Sequence, residues 1–92
     1  MGYFFIEQMV SIKVIYGTKW CGDCKRSKKF LDEQNIPYTW IDIDFDEKGK
    51  EKTKELNDGK AKVPTIVFDD ETILIEPSNF ELADKLGIEY SG

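Results

Sequence analysis

Histidine is absent from this 92-residue chain, and cysteine occurs only twice. A structural zinc site takes four Cys or His ligands, so one chain of this composition does not supply one, and no metal ligand set is expected. No run approaches the ~18 apolar residues that mark a membrane-spanning helix. Residues 1–10 hold a short apolar patch but lack a basic leading stretch, a full-length apolar core and a small-residue cleavage site, so they do not read as a secretory signal. A cytoplasmic protein with no membrane association is the expectation. Basic charge is in the minority, with 13 Lys and Arg against 18 Asp and Glu and a net charge of −5. Phosphate backbones require a basic surface, which argues against nucleic acid as a main partner. The length allows one small domain with a single compact core. It is divided here into an N-terminal extension, residues 1–10, and a domain, residues 11–92. Six Phe, four Tyr and two Trp bring large apolar area to that core.

What is present centres on Trp20-Cys21-Gly22-Asp23-Cys24. Both cysteines lie there, three positions apart, between a strand-like run and a helix-like one. A Cys-x-x-Cys pair at such a junction is how a redox protein presents a reactive thiol. Cys21 falls at the helix N-terminus, where unpaired N–H groups and the macrodipole favour negative charge and with it the thiolate. Cys24 lies one turn on, about 5–6 Å away, within disulfide reach. One thiol can attack and the other resolve. A purely structural disulfide would close a very short loop, which gains least from cross-linking, and would need an oxidising compartment. Gly22 and Asp23 are poor core residues, which weakens the reading of two inert buried thiols. Lys19, Lys25, Arg26, Lys28 and Lys29 flank the pair. They are either a solvated helix face or a cluster that raises the potential at Cys21 and attracts an anionic thiol or an acidic partner surface. Asp23 opposes a neighbouring thiolate, and the helix N-terminus offsets this by favouring Asp itself. Asp23 and Lys25 are therefore the residues expected to tune the pair.

The remaining elements follow from periodicity and punctuation. A strand is expected over 11–16 and a helix from Cys21 to about Gln34, stopped by Asn35 and Pro37. A second strand is expected over 38–43, with Tyr38, Trp40 and Asp42 on one face and Thr39, Ile41 and Ile43 on the other. Residues 46–58 form a highly charged helix whose inner side carries only Gly49, Thr53 and Leu56; it is expected to be the least stable element. Residues 63–68 and 72–75 form a β-hairpin around Asp69-Asp70-Glu71. Ser78 and Glu81 make a capping box for a last helix, which Gly87 ends. The fold class is α/β: β-α-β-α-β-β-α, a mixed four-stranded sheet with helices on both faces. The first two strands are expected to be parallel, with a right-handed crossover.

This layout, with Trp-Cys-Gly-Asp-Cys after the first strand and Val63-Pro64-Thr65 before the third, resembles the thioredoxin superfamily. Within it the chain is similar to glutaredoxins and mycoredoxin-type proteins over about residues 11–88. The resemblance implies a thioredoxin-like fold, a cis Pro64 against the cysteine pair, and a Val63 backbone that pairs with an extended substrate. Two departures stand out. Gly22-Asp23 replaces the Pro-Tyr between the cysteines of most glutaredoxins. Glu76-Pro77-Ser78-Asn79 replaces the Gly-Gly stretch that lets glutathione approach the last helix. Pro77 removes an N–H donor and Glu76 adds a negative charge, while a Pro-Ser pair here is similar to mycoredoxins. It also reads simply as a good helix start.

The reading is a dithiol–disulfide oxidoreductase. Cys21 and Cys24 are the catalytic residues, and Trp20, Lys19, Val63, Pro64, Ser78 and Asn79 are the substrate-binding candidates. Substrates would be protein disulfides or mixed disulfides with a small thiol. No cofactor would be tightly bound; a low-molecular-weight thiol or thioredoxin reductase would be the reductant, and the protein would act as a monomer. Two alternatives stand beside it. An iron–sulfur cluster or metal could be carried between two chains through four thiolates. The same dithiol could also donate electrons to ribonucleotide reductase.

Overall fold

A computed structural model describes residues 10–90; the N-terminal extension, apart from Val10, lies outside the described residues. The chain runs β1 (Ile12–Gly17), α1 (Gly22–Glu33), β2 (Trp40–Asp42), α2 (Glu47–Leu56), β3 (Thr65–Phe68), β4 (Ile73–Ile75) and α3 (Asn79–Leu86). The four strands form one sheet in the order β2-β1-β3-β4. β1 is parallel to β2 and antiparallel to β3, and β3 is antiparallel to β4. The element order and the mixed sheet are those expected from the sequence.

Strict alternation along β1 would set Ile12 and Ile15 on opposite faces. Instead the β1–β3 register shifts between Ile12 and Val14, a bulge that inserts one residue and resets the side-chain phase. Ile12 and Ile15 therefore join Phe30 and Leu31 of α1, Ile66 and Phe68 of β3, and Leu82, Ala83 and Leu86 of α3 in one core. Val14, Tyr16, Ile43 and Val67 make a second core on the other face, with Ile41 and Leu56 packed against it. α1 and α3 thus cover one face and α2 the other.

Strand β2 is shorter than the expected 38–43. Only Trp40–Asp42 sit in ladder register with Ile15, Tyr16 and Gly17, and the ladder stops at Asp42 because Gly17 is the last residue of β1. The flanking bonds Ile15 N–H to Thr39 O (2.8 Å) and Ile43 N–H to Gly17 O (2.9 Å) carry the pairing one step further at each end. The expected alternation holds: Tyr38 and Trp40 pack on the α1/α3 core, Ile41 and Ile43 on the α2 core.

Each helix ends where its punctuation dictates. α1 closes before Asn35, which takes φ 58°, with Ile36 N–H bonding Leu31 O at 2.9 Å. α3 opens on the reciprocal Ser78–Glu81 capping box and stops at a left-handed Gly87. α2 opens on Asp46, whose carboxylate accepts from Gly49 N at 2.7 Å. A polar network takes the place of apolar area along its inner side. Thr53 Oγ1 donates to Gly49 O (2.8 Å), and Asn57 Nδ2 donates to Thr53 O (2.8 Å) and Thr65 Oγ1 (3.2 Å). Thr65 Oγ1 in turn donates to Lys62 O (2.8 Å). These groups are buried, so each bond also avoids the desolvation penalty of an unpaired polar atom.

Candidate active site

Strand β1 ends at Gly17, and residues 18–20 turn the chain into α1. Cys21 is the N-cap of that helix, in extended conformation (φ −80°, ψ 116°), and its Sγ accepts a hydrogen bond from Cys24 N at 3.1 Å. The thiolate-favouring end of α1 is therefore occupied by sulfur where Ser or Asp commonly sits. On its other side the Cys21 thiol points at the Val63 carbonyl, 3.8 Å away. The Val63–Pro64 bond is cis, Pro64 is buried, and Pro64 O accepts from Glu76 N at 2.8 Å. Both cysteines are free thiols.

The two thiols differ in surroundings. Cys21 keeps 7% of its surface and Cys24 none. Burial pushes the Cys24 thiol up to about 12, and the hydrogen bond with Cys21 adds to this; a hydrogen bond from the Thr18 backbone works the other way. Gly17 makes this enclosure possible. A Cβ there would stand 2.5 Å from Trp40 Cη2 and 2.8 Å from Cys24 Sγ, so the missing side chain lets indole and thiol close over the strand end. Lys28 covers the outer face of Trp40, with Nζ 3.9 Å from the ring centroid, a favourable cation–π arrangement.

Lys19 and Trp20 sit at the rim. Trp20 is 70% exposed, yet its Nε1 is fixed to Asp44 Oδ2 at 2.9 Å. Lys19 Nζ lies 5.6 Å from the ring centroid of the exposed Phe45. The turn after β2 therefore holds Trp20 and Lys19, the two residues that precede Cys21, and sequence reasoning missed Asp44 and Phe45 because they read as part of an acidic loop.

Ser78 and Asn79 lie at the start of α3. The Ser78 hydroxyl is engaged by Glu81 N at 3.1 Å, while Asn79 Oδ1 is buried with no protein partner. The structure brings this segment to the cysteines through Arg26, whose Nη1 bonds Asp23 Oδ1 (2.7 Å) and whose Nη2 bonds Pro77 O (2.8 Å). Asp23 is thus ion-paired, and Lys25 is exposed. A cleft of about 470 Å³ is lined by Val10, Ile36, Tyr38, Leu86 and Ile88 among others; it lies at the opposite end of the sheet from the cysteines.

Comparison with known proteins agrees with this geometry. A family profile for glutaredoxins matches residues 14–73. Mycoredoxin 1 of Corynebacterium glutamicum is 40% identical over 72 residues, covering 78% of this chain and 89% of that protein. The thioredoxin-like protein BC3987 superposes with a TM-score of 0.71 at 24% identity, over 83% of this chain and all of its own. A glutaredoxin from Archaeoglobus fulgidus gives a TM-score of 0.64 at 24% identity, over 87% of this chain and 89% of its own. The last two speak to the fold, which is thioredoxin-like. The profile match over the cysteine pair and the third strand, together with the 40% relative, speaks to the family: the chain belongs to the glutaredoxins, the dithiol–disulfide oxidoreductases.

Proposed function

We propose that Cys21 is the attacking thiol and Cys24 the resolving one, in the reduction of protein disulfides and of small-thiol mixed disulfides. The observation that carries this reading is the asymmetry of the pair. Cys21 caps the helix and faces the rim, while Cys24 is fully enclosed and its thiol is held protonated, at about 12. The Cys21 thiolate displaces one substrate sulfur, which leaves as a thiolate, and a Cys21–substrate mixed disulfide forms. The first step thus removes the Cys21 charge and its hydrogen bond to Cys24, two of the contributions that hold the Cys24 proton. Cys24 then loses its proton and attacks Cys21 Sγ. The second substrate thiol leaves, and a Cys21–Cys24 disulfide remains. Two electrons have passed to the substrate, and two thiols or a flavoprotein reductase return them.

The start of α3 supports a reductant other than glutathione. Glu76 places a charge, and Pro77 removes a donor, where a glutathione carboxylate would meet a helix N-terminus. Repulsion at a partly exposed site amounts to about 0.5–1 kcal/mol and a lost hydrogen bond to about as much again. Together they weaken glutathione binding about tenfold. A small thiol other than glutathione, in keeping with the mycoredoxin relative, or a thioredoxin-reductase system is the proposed electron source. Steady-state kinetics with glutathione and glutathione reductase, run beside thioredoxin reductase with NADPH, test it. Poor saturation by glutathione is expected; an efficient, saturable glutathione reaction overturns it.

A further inference from the structure

Arg26 belongs to the basic cluster beside the cysteines, yet its half-exposed guanidinium is engaged by two groups of the chain itself. One arm bonds the Asp23 carboxylate and the other the Pro77 carbonyl, 51 positions away. Next to Pro77, Glu76 N–H bonds Pro64 O, and the Val63 carbonyl that precedes Pro64 faces Cys21 Sγ. The contacts therefore close a ring: Cys21, the turn through Asp23, Arg26, the 76–77 loop, Pro64, Val63 and back to Cys21. Arg26 is its one cationic link. A planar fork that makes two directed bonds is a geometry that lysine does not reproduce.

We propose that Arg26 is a positioning residue for the thiol chemistry, cancelling the Asp23 carboxylate inside the Cys-x-x-Cys turn and holding the Val63 carbonyl in place over Cys21. Asp23 is the charge closest in sequence to both thiols, and an unpaired carboxylate there opposes thiolate formation. The guanidinium turns that liability into a neutral pair while it bolts the turn to the loop carrying Glu76. Other charges around the site are Lys19 and Lys25 beside the pair in sequence, Asp44 held by Trp20, Lys62 next to Val63, and Glu76. Cys24 is the remaining titratable group. The guanidinium forms an ion pair with none of these; among the described residues its charged partner is Asp23.

This inference rests on Cys21 being the attacking thiol, so the test maps the labelled cysteine by mass spectrometry as well as timing the labelling. Iodoacetamide alkylation of the reduced protein is followed from pH 5 to 10 for wild type, Arg26→Gln, Asp23→Asn and the double variant. Both partners are half-exposed, so the effect is about two- to fivefold in rate at neutral pH, the size expected of such a pair. Arg26→Gln is expected to slow Cys21 labelling and displace its profile to higher pH. Asp23→Asn in the Arg26→Gln background is expected to restore it. Asp23→Asn alone leaves the guanidinium unbalanced and is expected to speed labelling, a readout that stands even where Arg26→Gln fails to fold. An unchanged profile in Arg26→Gln, or the same displacement in Arg26→Gln and the double variant, overturns the proposal. First labelling at Cys24 overturns the underlying assignment of the attacking thiol instead.

Discussion

Cys21 and Cys24 share one turn of helix, and their chemistry is divided by what surrounds each. Cys21 receives an N–H and stands beside a carbonyl at the rim; Cys24 is sealed by Gly17, Trp40 and the strand end. Cys21→Ser is expected to abolish all disulfide reduction, since no second accessible thiol is present. Cys24→Ser is expected to accumulate the Cys21–substrate mixed disulfide and to keep turnover only on small-thiol adducts, where a second small thiol can resolve. Intact-mass spectrometry after incubation with a disulfide peptide reads the trapped species, and its absence in Cys24→Ser contradicts the division of roles. The cysteine spacing was legible in the sequence because it depends on four consecutive residues. The reach of Arg26 to Pro77 was not, because it depends on how α1 and α3 lie side by side on the sheet. Asp44 and Phe45 were hidden for the same reason: only the parallel pairing of β1 and β2 sets their turn beside Trp20.

Among the elements, α2 shows best how a helix with little apolar area attaches to a sheet. Leu56 alone supplies a half-buried aliphatic side chain. Close approach and buried hydrogen bonds supply the rest. Gly49 is buried, and a Cβ at that position would stand 2.7 Å from Ile41 Cγ2 and 3.2 Å from the Asp46 carboxylate that caps the helix. Gly→Ala in an exposed helix gains about 1 kcal/mol. Here the methyl must displace a β-branched side chain and disturb the cap, at about 1–3 kcal/mol. Gly49→Ala is therefore expected to lower stability by about 1 kcal/mol, or about 4–8 °C in Tm for a domain of this size. Scanning calorimetry checks it, and a raised Tm would show that α2 can lift off β2 without loss. Charge pattern and caps made the existence of α2 legible from sequence. Its attachment was not, because Thr53, Asn57 and Thr65 read as ordinary polar residues until the fold brings them together. The bulge in β1 escaped for a related reason: Ile12, Val14 and Tyr16 fit a simple alternation, and only the pairing with β3 shows that the phase changes.

Taken as a whole, the fold is sensitive to alkali, because burial holds Cys24, Tyr16 and Tyr38 in their protonated forms, whereas the lowered carboxylates Asp70 and Glu71 lie on the surface. Cys24 is raised from 9.0 to about 12 chiefly by burial, and Tyr38 from 10.0 to about 12 by burial and its hydrogen bond to Asp32; burial also raises Tyr16. Each of these groups is neutral when protonated. Between its unfolded and folded values the folded state binds more protons than the unfolded state, so stability falls as pH rises. The window opens near pH 9 with Cys24, and the tyrosines join it near 10. Lys13 and Lys29, raised by Glu71 and Glu33, add an alkaline loss of the same sign. On the acid side Asp70 is lowered from 3.8 to about 2 by its hydrogen bonds with Thr72 and Lys85, and Glu71 is lowered by Lys13. Both carboxylates are exposed, so the stability they give above pH 4 is small. The stability profile is therefore expected to decline more steeply above pH 9 than below pH 4. The Cys24 share can be isolated in two variants that cannot form the disulfide, Cys21→Ser and Cys21→Ser/Cys24→Ser. Burial, the largest cause of the Cys24 shift, survives in the first variant, and serine does not titrate in the second. Urea denaturation of both from pH 7 to 12 is expected to give a constant stability difference up to about pH 9. From there the single variant loses ground by up to about 1.4 kcal/mol per pH unit. Parallel curves through pH 12 would mean that the enclosed thiol ionises as freely in the folded chain as in the unfolded one, and the sealed resolving cysteine would have to be abandoned.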